Sequence, residues 1–374
     1  MKLAFYNPTH PSFSSGPEIW SSQVLPALSA RGHAVTLYTT AFQRRGDNTH
    51  IVAALDGAGV AVHELPSRPL PGSGSPLPLR VRERPKRTHD VLYSFNGYAL
   101  QEFAGWALAR STGARWIYGV HAPIYTGYRP HDAYQRHLAL RAGRRAIQTH
   151  VLNRDDERTL AGLGHRSLLV PYAVADDFFA TAADIEARAV ASTYRIAFAG
   201  RLSEQKRISR LLSVLRQVIA ADCDVEVTII GDGEMRGEVT EFCAETPRSR
   251  HLGHLTHDDL ARELRSTHAF VSLSAQETFC VALLEAAAAA CDVVTTPTSG
   301  VATDYAFPFH LVAQDADAAT VAGRILERAS ITRSDDGSYR ALVAENRRIA
   351  RPFTWTMITD AVEDACARAV GVRV

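Results

Sequence analysis

Tyr194-Arg195-Ile196-Ala197-Phe198-Ala199, followed by Gly200-Arg201-Leu202, is a nearly continuous apolar run that ends in a glycine turn. A second such run, Val225-Glu226-Val227-Thr228-Ile229-Ile230, follows one amphipathic helical pattern. Strands with both faces buried give such runs, and their alternation with helices predicts a parallel sheet. Further strands are predicted near 251–253, 269–273 and 292–296, and helices over 206–220, 257–266 and 281–290.

The same alternation is present in the first half of the chain. Strands are predicted at 2–7 and 34–39 and near 91–94, 115–120 and 146–152. The stretch from Pro66 to Pro85 is rich in Pro, Gly, Ser and Arg, which predicts a loop without a regular element. Because 374 residues exceed what one core usually fills, we expect two Rossmann-like, doubly wound α/β domains, at 1–180 and 181–350.

Composition limits the partners and the compartment. A net charge of +1 with 22% charged residues gives no reason to expect nucleic acid or an anionic membrane as principal partner. Arginine far outnumbers lysine, which is typical of a GC-rich bacterial genome, and Lys206 is one of only three lysines. The five cysteines lack CxxC spacing and are expected to be reduced. With neither a signal peptide nor an 18-residue apolar run, the expectation is a soluble cytoplasmic protein.

Two cations follow the strand at 194–199. In open α/β sheets, ligands bind outside the carboxyl ends of the strands, which is where Gly200 and Arg201 lie. Gly200 allows a sharp turn, Arg201 can donate two parallel hydrogen bonds to phosphate oxygens, and Lys206 adds a compact positive charge. The pattern indicates a diphosphate site. Taken alone, it also fits an ordinary loop at the start of a helix whose basic side chains are solvated.

Two carboxylates lie on either side of the strand-to-helix turn that follows the predicted strand near 269–273. Glu277 follows the strand near 269–273, and Glu285 lies one turn inside the following helix. Backbone N–H groups at Phe279 and Cys280 would point at an anion or at sugar hydroxyls. We interpret the pair as a site for sugar and ribose hydroxyls, while a chance pair of glutamates remains an alternative.

Other motifs narrow the choice of chemistry. Gly231-Asp232-Gly233-Glu234 is a tight turn at the same sheet edge and not a GxGxxG fingerprint. Asp222-Cys223-Asp224 and Asp315-Ala316-Asp317 match a DxD metal pattern by chance, and no HExxH, clustered His, GxSxG or Walker A sequence is present. We therefore expect no protein-held metal and no cofactor.

In the first half, His121 ends a predicted strand and could hydrogen-bond a substrate hydroxyl, although a purely structural histidine is an equal alternative. Asn96, Tyr125 and Tyr128 lie on neighbouring loops and are predicted to contact the acceptor.

Taken in order, these motifs resemble those of the retaining glycosyltransferases of family 4, which have the GT-B fold. The resemblance rests on Gly200-Arg201-Leu202 with Lys206, Gly231-Asp232-Gly233, Leu252-Gly253-His254-Leu255, Ser274 to Ala286 with both glutamates, Val293 to Thr296, Ser15-Gly16, Arg31 to Thr36, His121, and Phe353-Thr354-Trp355. The last motif resembles the family's closing helix, which implies that residues 353–374 return to the first domain.

The resemblance implies a role for each site residue. Arg201 and Lys206 would bind the donor diphosphate, Glu285 the ribose, and Glu277 the donor sugar, with His121 near the reacting carbon. The remaining donor-binding positions would be Gly16, Gly200, Gly231, Leu255, Thr278, Phe279, Cys280 and Val281. The implied reaction is metal-independent, retaining transfer from a UDP or GDP type of sugar to a small acceptor, with the interdomain cleft as the active site.

This chain departs from the family pattern where Arg207, Thr278 and Cys280 stand in place of glycines, and where the usual Pro-Asn-Gly-Val is Pro171-Tyr172-Ala173-Val174. Two classes of alternative therefore stay open. One is another enzyme on the same architecture, a sugar-nucleotide epimerase or a phosphorylase, and the other is a non-catalytic nucleotide-sugar-binding partner. The arginine-rich composition is compatible with bacterial natural-product or thiol-metabolite glycosylation. The sequence makes no prediction of oligomeric state.

Overall fold

The computed structural model describes residues 1–13, 16–44, 49–70, 76–78, 88–95, 100–124 and 129–371. The chain divides into two compact units, the first comprising Met1–Tyr172 with Trp355–Val374 and the second Ala173–Thr354. None of the described helices is both long enough and apolar enough to span a bilayer.

The elements alternate between strand and helix along most of the chain. The strands are β1 (Lys2–Tyr6), β2 (Ala34–Thr39), β3 (Val60–Glu64), β4 (Ser67–Pro69), β5 (Pro76–Pro78), β6 (Val91–Phe95), β7 (Arg115–Val120), β8 (Gln148–Val151), β9 (Ser167–Leu169), β10 (Tyr194–Ala199), β11 (Val225–Ile230), β12 (Ser249–His251), β13 (Ala269–Ser272), β14 (Asp292–Thr295) and β15 (His310–Leu311). The helices are α1 (Gly16–Ala30), α2 (Thr49–Gly57), α3 (Gln101–Thr112), α4 (Arg129–Tyr134), α5 (Leu140–Gly143), α6 (Arg154–Gly162), α7 (Ala182–Ala189), α8 (Ile208–Ala221), α9 (Arg236–Glu245), α10 (His257–Arg265), α11 (Val281–Ala288), α12 (Ala318–Ser334), α13 (Asp336–Ala350) and α14 (Trp355–Val370).

The first unit is built on a seven-stranded sheet in the order β3-β2-β1-β6-β7-β8-β9. All of its pairings are parallel. Burial of both faces explains the apolar runs, since β6 is buried along its whole length and β7 everywhere except its first residue. Gly119 in β7 leaves room for a neighbouring ring, because a Cβ there would lie 2.6 Å from the Tyr93 hydroxyl oxygen.

The stretch predicted to be a loop contains regular structure. β4 and β5 pair antiparallel as a small separate sheet, with Ser67 opposite Pro78 and Pro69 opposite Pro76. The prediction of no regular element was therefore wrong. Proline lacks an amide donor, but it is tolerated on an edge strand, and a two-stranded ribbon consists only of edges.

The second unit has a six-stranded sheet in the order β12-β11-β10-β13-β14-β15, and again every pairing is parallel. Its core is mainly aliphatic and lies between β10, β11 and the helices α8 and α12; it includes Ile196, Leu211, Leu215, Val227 and Ile325. The two described sheets confirm the predicted pair of doubly wound α/β domains.

The last helix, α14, is part of the first unit and packs on α1. Arg31 bridges Asp360 and Glu363, with nitrogen-to-oxygen distances of 2.6 Å to each. His33 Nε2 lies 2.6 Å from the other oxygen of Glu363. Partial burial opposes ionisation of this carboxyl, but His33 and Arg31 together hold the pKa of Glu363 below its ordinary value. Polar contacts thus fix the middle of this helix.

Candidate functional site

The loops that follow β10, β11 and β12 meet backbone to backbone at the carboxyl edge of the second sheet. The Gly200 amide donates to the Ile230 carbonyl at 3.0 Å, and the Gly231 amide donates to the Gly253 carbonyl at 2.8 Å. A Cβ on Gly231 would lie only 1.9 Å from the Gly200 carbonyl oxygen. Position 231 therefore requires glycine, because the two loops approach each other too closely for a side chain. Main-chain groups consequently line this edge of the sheet.

Lys206 projects from this edge on a 3₁₀ turn, Glu204–Lys206, that precedes α8. Its ammonium donates a hydrogen bond to the Glu277 carboxylate, and the two side chains are 18% and 9% exposed. Burial works to lower the pKa of Lys206, but Cys280 and Glu277 outweigh it, so the pKa is raised above its ordinary value. The Lys206 ammonium therefore keeps its charge at neutral pH.

The turn that carries Lys206 is bonded directly to the loop that carries Glu277. The Ala275 amide donates to the Gln205 carbonyl at 2.9 Å, and Gln205 Nε2 donates to the Gln276 carbonyl at 2.9 Å. On the other side, Arg207 Nη1 donates to the Gln314 carbonyl at 2.8 Å. Hydrogen bonds to the main chain thus hold the turn of Lys206 against the loop of Glu277, although the two segments are far apart in the sequence.

Cys280 is the N-cap residue that immediately precedes α11, and it has a left-handed backbone with φ of 64°. Its thiol is buried, and that burial, followed by the negative field of Glu277, raises the pKa of Cys280 to about 12. The thiol is thus a neutral group beside the Glu277 carboxylate. The preceding residue, Phe279, is held by its carbonyl, which accepts from the Val301 amide at 2.9 Å.

Glu285 lies one turn inside α11, as predicted, and is partly buried. Burial raises the pKa of Glu285 to about 7. Within the described ranges, no side chain donates a hydrogen bond to this carboxyl group. Its acceptor capacity is therefore available to a ligand.

Arg201 is exposed and makes no hydrogen bond or ion pair with any residue that the structure describes. It lies close enough for its charge to oppose protonation of Lys206. Arg201 and Lys206 thus bring two positive charges to this edge, and cations so placed attract an anionic ligand.

The remaining predicted donor positions lie on the loops at this edge. Leu255 is partly buried on the loop after β12, Thr278 lies between β13 and α11, and Val281 is the first residue of α11. No group of three or more His, Cys, Asp or Glu side chains among the described residues is arranged to hold a metal ion.

His121 and Gly16 both belong to the first unit. His121 follows β7 and is buried, and its two ring nitrogens face the Tyr93 hydroxyl at 2.8 Å and the Tyr172 hydroxyl at 3.0 Å. Gly16 begins α1, and a Cβ there would lie 3.3 Å from the Tyr172 hydroxyl oxygen. Asn96, Tyr125 and Tyr128, the predicted acceptor contacts, fall outside the described residues.

Sequence reasoning missed the polar groups behind His121. Tyr93 lies in β6 and His150 in β8, within runs that were interpreted only as buried strands. A histidine inside such a run is the signal that was available, because a fully buried polar side chain needs a hydrogen-bond partner.

Residues 193–328 match the profile of the family described as Glycosyl transferases group 1. One subunit of the human phosphatidylinositol N-acetylglucosaminyltransferase is 33% identical over 109 residues, which cover 28% of this chain and 22% of that relative's length.

The structure is similar to that of HepE from Anabaena in complex with UDP and glucose, with a TM-score of 0.74, 16% identity, and coverage of 98% of this chain and all of the other. It is also similar to sucrose-phosphate synthase from Thermosynechococcus elongatus, with a TM-score of 0.75, 17% identity and 98% coverage of both chains. These likenesses confirm the GT-B fold. With the family match they support the predicted enzyme class, a glycosyltransferase.

Proposed function

We propose that this chain, whose second unit matches the group 1 glycosyl transferases, moves a sugar from a nucleoside-diphosphate donor to a small-molecule acceptor. The observation that carries the proposal is the convergence of Arg201, Lys206 and Glu277 at one edge of the second sheet. Glu285 supports it, because it lies one turn inside α11 and no side chain of the described residues donates a hydrogen bond to its carboxyl group. The bound nucleotide in HepE is consistent with this donor class.

The cations would act on the leaving group. As the glycosidic bond to the diphosphate breaks, negative charge grows on the phosphate oxygens, and Arg201 with Lys206 would stabilise it more strongly than in the ground state. Lys206 is suited to this because its ammonium is already fixed by Glu277 and needs little reorganisation. We propose that these two side chains supply the positive charge and that the reaction needs no metal.

The carboxylates would position the donor. Glu277 is held by Lys206, yet a carboxylate has about four acceptor sites, so it can also accept from sugar hydroxyls. Glu285 would accept from the two ribose hydroxyls. We further propose that the transfer retains the anomeric configuration, with attack from the leaving-group face and a phosphate oxygen taking the acceptor proton. Asn96, Tyr125 and Tyr128 are proposed acceptor contacts on sequence grounds alone.

Replacing each cation tests this assignment. Lys206→Ala and Arg201→Ala should lower kcat/KM for turnover of UDP-glucose by about 10²- to 10³-fold, the usual effect of removing one donor to a developing charge. Arg216→Ala is the matched control, since Arg216 is 48% exposed on α8 and pairs with Glu245. EDTA should leave the wild-type rate unchanged. A loss below about tenfold in both site variants, roughly 1.4 kcal/mol, would refute the electrostatic role.

A non-catalytic nucleotide-sugar-binding protein is the second candidate. The observation that favours it is the buried Cys280 thiol beside Glu277, because this side chain takes space at the proposed sugar end of the site. Release of UDP from UDP-glucose by the wild type, abolished in Lys206→Ala, would exclude this candidate.

A further inference from the structure

Five polar groups form a continuous buried chain in the first unit, within β6 and β8 and on the segments that follow β7 and β9. His121 Nδ1 lies 3.0 Å from the Tyr172 hydroxyl, and His121 Nε2 lies 2.8 Å from the Tyr93 hydroxyl. The Tyr93 hydroxyl also contacts His150 Nδ1, and His150 Nε2 lies 2.7 Å from the Val170 carbonyl oxygen. All four side chains are at least 90% buried.

The far end of this chain determines where every proton lies. The Val170 carbonyl can only accept, so His150 Nε2 carries a proton and donates it. The pKa of His150 is lowered by burial to about 4, so this ring is neutral and its Nδ1 is an acceptor. Tyr93 must then donate its proton to His150 Nδ1, because otherwise the lone pairs of the two atoms would face each other.

The assignment then extends to His121. With its proton directed at His150, the Tyr93 oxygen can only accept, so His121 Nε2 must carry a proton and donate it. Burial, aided by His150, holds the pKa of His121 well below its usual range, so the ring carries one proton only. Its Nδ1 is therefore an acceptor, and the Tyr172 hydroxyl donates to it. All donors in the chain point the same way, from Tyr172 towards Val170.

Packing fixes the same arrangement. The His121 ring meets Phe95 edge-on at 4.9 Å and Trp20 edge-on at 6.1 Å between centroids, so it cannot turn without moving other buried rings. Gly119 provides the space for the Tyr93 hydroxyl, as described above.

We propose that Tyr93 and His150 are positioning residues that hold His121 as the neutral Nε2–H tautomer with both ring nitrogens directed at protein partners. This rests on the proposed function in one respect, the expectation from the family resemblance that His121 acts near the reacting carbon. It deepens that function because His121 would form part of the wall of the site and would not act as a general base. The lone pair on its Nδ1 atom already accepts a hydrogen bond from the Tyr172 hydroxyl. The acceptor proton must then leave through another group, such as a donor phosphate oxygen.

The tautomer is measurable without any substrate. In the full-length protein labelled with ¹⁵N-histidine, two-bond correlation spectra should show His121 with a protonated Nε2 and an unprotonated Nδ1, the signal being assigned by its loss in His121→Gln. Finding the Nδ1–H tautomer or a doubly protonated ring at neutral pH would overturn the proposal. Because this measurement does not depend on turnover, it tests the tautomer independently of the proposed glycosyltransferase activity.

Variants test whether the arrangement matters for catalysis. Tyr93→Phe and His150→Leu break the chain and should change the His121 spectrum and lower kcat for UDP-glucose turnover about tenfold or more, with KM within about twofold. His150→Gln should restore both, since an amide can accept from Tyr93 and donate to Val170. His165→Leu is the matched control, because His165 is also buried and faces the Leu140 carbonyl at 2.9 Å without touching His121.

Each outcome of the kinetic experiment decides one claim. If Tyr93→Phe and His150→Leu keep the wild-type kcat, the positioning role is refuted even when the tautomer is as assigned. If His165→Leu lowers kcat and alters the His121 spectrum to the same extent, the effect is general loss of core stability and the proposal is refuted. If the wild type does not turn over UDP-glucose while the tautomer is as assigned, the proposed function for that donor fails and the proton assignment remains.

Discussion

The pair of Lys206 and Glu277 illustrates why the charges at this edge of the second sheet have a use beyond stability. Removing one partner from a buried ion pair typically costs about 3–5 kcal/mol, whereas an apolar replacement of both is often neutral. The Lys206 side chain is only 18% exposed, and Arg201 has no hydrogen bond or ion pair with the described residues, so folding alone explains these two cations weakly. Binding of an anion explains both side chains.

Glu285 gives a prediction that needs no substrate. Its pKa is about 7 in the folded chain against an ordinary 4.5, so the folded state holds a proton that the unfolded state loses first. Stability should then fall as pH rises from about 4.5 to 7, because the unfolded state binds fewer protons in that window. Glu285→Gln removes this loss and should stabilise the protein at pH 8 by on the order of 1–3 kcal/mol.

The measurement is the difference in thermal midpoint between Glu285→Gln and wild type at pH 4 and at pH 8. We expect a positive difference at pH 8 that vanishes at pH 4. An equal difference at both pH values would mean that the Glu285 carboxyl is not desolvated, and our description of its surroundings would be wrong.

The glycine loops can be tested by adding single methyl groups. A Cβ on Gly231 would meet the Gly200 carbonyl oxygen at 1.9 Å, and one on Gly233 would meet the Leu202 carbonyl oxygen at 2.3 Å. Neither backbone can move without breaking the bonds that join the loops, so Gly231→Ala and Gly233→Ala should each destabilise the protein by several kcal/mol, as steric overpacking and backbone strain do.

Gly323→Ala is the matched control for these variants. Gly323 lies inside α12, and a Cβ there would meet nothing within 4 Å. This substitution should stabilise the helix by about 0.5–1 kcal/mol. Urea unfolding followed by circular dichroism measures all three, and a Gly231→Ala variant as stable as wild type would contradict the close approach of the two loops.

Strand and helix prediction succeeded where apolar runs are long. β10 and β11 have the predicted bounds, and α10 begins at the predicted residue. β3, β9 and β15 were missed because they lie at or near sheet edges, where a strand of two to five residues with exposed positions gives no continuous apolar run. The β4 and β5 ribbon was missed because proline was taken as a strand breaker without regard to edges.

Local motifs were enough to single out the charged residues of the proposed site. Arg201, Lys206 and Glu277 were identified from their places after strands and Glu285 from its place inside the next helix, and the structure brings Lys206 and Glu277 into contact. The bonds that hold them there were not predictable, since Gln205 and Gln314 act through side chains and carbonyls whose partners are far apart in sequence. The same is true of Tyr93 and His150.

The chain as a whole consists of two units with parallel sheets, and the last helix is part of the first unit although it follows the second in sequence. Polar contacts of Arg31 and His33 with α14 hold that helix to the unit in which the chain begins. The family match lies within the second unit, from 193 to 328, and includes all four charged residues of the proposed donor site. The donor half of the proposed function is thus the part that the comparisons support best.

The central claim is that Arg201, Lys206 and Glu285 form a nucleoside-diphosphate site, and calorimetric titration of UDP, GDP and dTDP into the full-length protein tests it most directly. We predict that at least one nucleotide binds the wild type and Arg216→Ala equally, and binds Lys206→Ala and Glu285→Gln at least about tenfold more weakly, a difference of roughly 1.4 kcal/mol. That nucleotide at 100 times its Kd should also stabilise the wild type by about 2.7 kcal/mol. Absence of binding by all three nucleotides, or equal affinity in all four proteins, would contradict the account.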